Sequence, residues 1–212
     1  LERLENFADK KLYKNDTGLP NRVHFDRHLY LPLLEGDAKE PPVVKYSPPG
    51  LNKGEKDFLK KLRKFVTSPD GKRMLKKHNC ELFLLRNRSR GHGIGFLPGD
   101  EGYYPDFILW LKSPDQQNIA FIEPHGLITG GDLKTNSKVQ FYKTIKIYER
   151  KLNQQASRND VFLSSFIISQ TDYKTLKIQT GINNIDDFHA MNIYFPKGAN
   201  YVLRILKKIL GK

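Results

Sequence analysis

From Leu51 onward apolar residues recur with regular periods, and the period switches along the chain. Phe58, Leu62 and Phe65 are spaced by four and three, one stripe of a helix that Asn52 can cap and that Ser68-Pro69-Asp70-Gly71 ends. Residues 80–85 (CELFLL), 104–111 (YPDFILWL) and 119–123 (IAFIE) are short apolar runs of the kind that form buried strands. Ser113-Pro114-Asp115 makes the turn between the second and third. Thr135 or Asn136 caps a long helix in which Phe141, Ile145, Tyr148 and Leu152 recur at four, three and four. Residues 161–169 (VFLSSFIIS) predict a fourth strand, and residues 201–210 a short basic closing helix. Between those two the pattern is weaker. The order helix, three strands, helix, strand predicts an α/β domain with a mixed central sheet flanked by helices.

Residues 1–50 differ. Pro20, Pro32, Pro41, Pro42, Pro48 and Pro49 interrupt them, and no helical period persists beyond about Tyr13. They are expected to be a connector, with one extended piece near residues 23–34 packed on the main body, and residues 51–212 are expected to form the domain. The chain opens on Leu1, which reads as a fragment cut from a longer polypeptide.

Composition narrows the class. Hydrophobic residues are 38% and charged residues 28%, the mix of a globular protein. No apolar run approaches the roughly 20 residues of a membrane span, and the polar start carries no signal peptide. The single cysteine, Cys80, rules out an internal disulfide, and the expected compartment is the cytoplasm. Thirty-six Lys and Arg against 23 Asp and Glu leave a net charge of +13. Such a surplus suits a polyanionic partner, DNA or RNA, although a solubility surplus gives the same number. Lack of an aromatic-rich recognition motif weakens the RNA reading.

The second and third strands carry the candidate chemistry. A hairpin centred between Pro114 and Asp115 pairs Asp106 with Glu123, and strand alternation puts His125 on the face of Glu123 with Ile122 on the other. Two opposed carboxylates repel unless a positive charge lies between them, and a hard cation such as Mg²⁺ accepts one or two carboxylates with its waters. A divalent ion can activate water and neutralise phosphoryl oxygens, the two requirements of phosphodiester hydrolysis. Pro124, between the site residues, has no N–H to donate and leaves its carbonyl as a possible further ligand. Arg86, Arg88 and Arg90 alternate at the end of the first strand and are expected to project together onto DNA phosphates, ahead of the glycines at 91, 93 and 95. A solvated basic loop is the plainer alternative there.

The run YYPDFILW, followed after a hairpin-length gap by FIEPHG, resembles the PD-(D/E)xK nuclease motif. With LLRNRSRGHGIGF before it and FDRHLYLPLL at residues 25–34, the stretch resembles the C-terminal endonuclease domain of type III restriction Res subunits and related helicase-linked restriction proteins. That resemblance implies a restriction-endonuclease-like core and Mg²⁺ or Mn²⁺ held by Asp106 and Glu123. It further implies a helicase motor in the same polypeptide and a partner methyltransferase or specificity subunit. It also implies a catalytic role for Glu55, on the first helix, whose other reading is an acid complementing a helix dipole. His125 stands where the family has lysine, and can exchange a proton near neutral pH. Lys134 and Lys138, in the following loop or helix, could substitute in space for that lysine, a possibility their spacing does not support. No GxxxxGK[ST] run occurs, so any motor lies outside these residues. His24, Asp26 and His28 also alternate but lack a fourth metal ligand.

Overall fold

The computed structural model describes residues 50–88, 93–96, 102–127, 133–198 and 200–211, together with the backbone of a two-residue strand at 28–29. The rest of the connector, with His24 and Asp26, lies outside the described residues.

Among the described residues six strands form one mixed sheet in the order β1 to β6: β1 (His28–Leu29), β2 (Glu81–Arg86), β3 (Phe107–Lys112), β4 (Gln117–Glu123), β5 (Val161–Ile168) and β6 (Ile193–Tyr194). β2, β3 and β4 run antiparallel, whereas β1 joins β2, β5 joins β4 and β6 joins β5, each in parallel. The expected extended piece of the connector thus supplies an edge strand. Lys112 pairs with Gln117 and Phe107 with Ile122, the register expected of a hairpin turning at Pro114-Asp115.

Among the described residues six helices flank the sheet: α1 (Lys53–Thr67), α2 (Pro69–Lys77), α3 (Ser137–Gln155), α4 (Tyr173–Thr180), α5 (Ile185–Ala190) and α6 (Tyr201–Ile209). α1 starts on a complete capping box: Asn52 Oδ1 accepts from the Glu55 amide at 2.9 Å, and Glu55 Oε2 accepts from the Asn52 amide at 3.1 Å. Ser68-Pro69-Asp70-Gly71 does more than end α1. Ser68 caps the C-terminus of α1 and the N-terminus of α2, its Oγ accepting from the Gly71 amide, and Pro69 takes the first helical position. Turn residues at a helix end are also helix-start residues, so α2 was concealed in a stop signal. Gly71 is needed there because a Cβ would collide with the Phe65 carbonyl oxygen. The weakly patterned stretch after β5 folds into α4, α5 and β6, with Asp172 and Asn184 as caps.

Strand alternation divides the core into layers. Leu82, Leu84, Phe107, Leu109, Leu111 and Ile122 pack against α1 and α6 through Phe58, Leu59, Leu62, Ile205 and Leu206. Ile108 and Phe121, on the other face, meet Phe141 and Ile145 of α3. A third cluster joins α4 and α5 to the sheet through Ile167, Leu176, Phe188 and Ile193. Among the described residues, no helix is long and apolar enough to cross a membrane.

Candidate active site

Asp106 and Glu123 stand at the open end of the β3–β4 hairpin, one step beyond the paired Phe107 and Ile122. They share strand parity with Ile108 and Phe121, so both face the α3 side. Glu123 is only 5% exposed. Burial, then the charges of Glu123 and Glu55, push the Asp106 carboxyl up to about 8, while Lys138 and Arg86 pull it back. Burial also raises Glu123, against Lys138, His125 and the Asp106 amide, which favour its ionised form. The two acids therefore titrate as a coupled pair that resists holding two negative charges.

Lys138, in the first turn of α3, donates from Nζ to Glu123 Oε1 at 3.3 Å. Glu123 Oε2 is buried with no hydrogen-bond partner. A buried carboxylate oxygen lacking a donor, beside a second carboxylate of raised pKa, fits a hard cation. Oxygen donors of this kind suit Mg²⁺ or Mn²⁺. Among the described residues no group of three or more His, Cys, Asp and Glu is gathered into a metal cage.

Glu55, 8% exposed, enters from α1. Its Oε2 serves the capping box and also accepts from Arg86 Nη2 at 3.4 Å, so the helix-start role and proximity to the acids coexist. Burial raises its carboxyl, and Arg86 opposes that shift most strongly.

Two sequence expectations change. Arg86 does not project with Arg88 towards a surface: it is 6% exposed and paired with Glu55, because β2 ends at this residue beside a buried acid that needs a counter-charge. Arg88 is exposed beyond the strand, and Arg90 lies outside the described residues. His125 does not continue the face of Glu123. β4 ends at Glu123, and after Pro124 the His125 amide folds back onto the Glu123 carbonyl at 3.0 Å, leaving His125 exposed. It stays near enough for its charge to favour ionised Glu123. Pro124 itself is buried.

A lysine that reaches the acids does so from α3. Lys138 was legible as a spatial candidate alongside the exposed Lys134, but its placement needed the packing of α3 on β4. Asn87 carried no expectation at all. Buried at the end of β2, it donates from Nδ2 to the Ile94 and Pro105 carbonyls at 2.7 and 2.8 Å, and its amide donates to the Asp106 carbonyl at 2.8 Å. It therefore holds the backbone that presents Asp106. Gly93 lets this loop close, since a Cβ there would collide with the Arg88 carbonyl oxygen. The close approach expected of these glycines is thus, at Gly93, an approach of the chain to itself. No family model, curated protein or solved structure matches this chain.

Proposed function

We propose that this chain is a Mg²⁺- or Mn²⁺-dependent DNA endonuclease domain, the cleavage module of a restriction-type translocase like the type III Res subunits. A motor in the same polypeptide and a methyltransferase or specificity subunit would complete that system. The observation that carries the reading is the carboxylate pair of buried Glu123, at the end of β4, and half-buried Asp106, just before β3, with raised carboxyl pKa values and an unpartnered Glu123 Oε2.

Asp106 and Glu123 would hold the ion, with the Pro124 carbonyl as a further ligand. When bound, the ion supplies a more acidic water and positive charge against the phosphoryl oxygens. Lys138 favours the ionised form of Glu123 and presents its ammonium beside the attacked phosphate. His125, at the solvent edge, is placed to exchange a proton with water. Glu55 and Arg86 balance charge behind the pair, and Arg88 offers a guanidinium to the strand.

The exposure of His125, where the resembled family has lysine, favours a second reading: a catalytically silent nuclease fold that binds DNA or docks a subunit. Plasmid nicking with Mg²⁺, Mn²⁺ or chelator separates the two. Cleavage that needs the metal and disappears in Asp106→Ala supports the nuclease; intact metal binding and folding with no cleavage in the wild type rejects it in favour of the silent fold.

A further inference from the structure

Residues 53–77, which form α1 and α2, carry ten Lys and Arg against three acids, Glu55, Asp57 and Asp70. That surplus of seven is more than half of the chain's net +13 in a small part of its length. The charges also have a direction. Phe58, Leu59 and Leu62 bury one side of α1, and Lys53, Lys60, Arg63 and Lys64 stand exposed around the other. Lys72, Arg73, Lys76 and Lys77 extend the exposed basic surface along α2. Asp70 is paired with Arg73, and Glu55 points into the acid site, so two of the three acids are already engaged.

The face begins at the candidate active site. Glu55, in the first turn of α1, is coupled to Asp106, and at 1.5 Å per residue Lys60 and Lys64 follow roughly 8 and 14 Å further along the axis. One DNA strand places a phosphate every 3.4 Å of helix axis, so those lysines fall about two to four phosphates from a strand attacked at Asp106.

We propose that the α1–α2 face tracks the DNA backbone leading to the acid site. DNA as the partner rests on the function proposed above. The test is binding of the full chain to a short fluorescent duplex in chelator, which prevents cleavage, read by anisotropy across a range of salt. Each lost phosphate contact lowers the slope of log K against log salt by about one. Lys60→Ala with Lys64→Ala should lower that slope by about two and weaken binding equally for unrelated sequences. Arg150→Ala with Lys151→Ala, exposed cations on α3 against the opposite face of the sheet, should leave the slope unchanged. Circular dichroism confirms the fold of each variant. An unchanged slope in the α1 double variant, an equal loss from the α3 pair, or no binding at all overturns the tracking face. Cleavage is not measured here, so a nuclease that fails the nicking test while binding and slopes behave as stated sinks only the catalytic reading.

Discussion

Two aspartates each stand immediately before a strand of the same sheet, at opposite ends of it, and their chemistry diverges. Asp160, ahead of β5, faces Arg158, whose Nε and Nη2 donate to its two oxygens at 2.7 and 2.5 Å. Those bonds hold its carboxyl below the usual range. Asp106, ahead of β3, is pushed up to about 8 by burial and by two neighbouring acids. A satisfied surface ion pair of this kind contributes little to stability and suggests no chemistry. The half-buried, charge-frustrated acid costs the fold stability, and such a group persists where a ligand relieves it.

The largest test of that contrast is paired substitution. Asp106→Asn should lower metal-dependent cleavage by about a thousandfold, the loss of several kcal/mol of charge stabilisation, whereas Asp160→Asn should leave it within twofold. Equal rates for the two variants would erase the distinction. Next in size is the cation. Lys138→Ala should reduce cleavage by roughly a hundredfold, the scale of a lost acid–base or charge partner, with partial recovery in Lys138→Arg. His125→Ala should cost less than that at every pH. A His125 variant as impaired as Lys138→Ala would return the third position to the strand.

pH sharpens the comparison with a definite sign. The folded Asp106 binds its proton up to about pH 8, whereas an unfolded aspartate releases it near pH 4. Between those values the native state holds more protons, so stability is greatest below about pH 4 as far as this group is concerned and is lost as pH rises towards 8. Melting temperature in chelator should therefore fall across that window, and Mg²⁺ should restore more of it at pH 8 than at pH 6. Asp106→Asn should flatten both trends. The opposite sign belongs to Asp160, whose lowered carboxyl pKa makes its small contribution vanish on acidification. Smallest is the expected effect of Asn87→Ala: about tenfold slower cleavage from a misplaced Asp106, with destabilisation of about 1–3 kcal/mol from the carbonyls it leaves unsatisfied. Wild-type cleavage in a stably folded Asn87→Ala would show that its clamp is dispensable for Asp106.

Much of the fold was readable because its determinants are local. Asn52 with Glu55 marks the start of α1, Asn136 the start of α3, and the Pro114-Asp115 turn sets a register in which a one-residue slip would invert every side chain. α2, α4 and α5 were not readable, since short helices bounded by Ser, Asp and Asn caps use the same residues that mark loops. The site divides in the same way. Asp106 and Glu123 are placed by the hairpin that contains them both, and the periods of the sequence suffice to bring them to one face. What lies between those acids and their surroundings required tertiary packing: Lys138 arrives because α3 docks on β4, Arg86 turns inward because α1 carries Glu55 over the end of β2, and His125 leaves the site because the chain folds back after Pro124. Alternation and capping act over a few bonds and are written in neighbouring residues, whereas the partner of a buried charge is decided by which distant element shares its low-dielectric space.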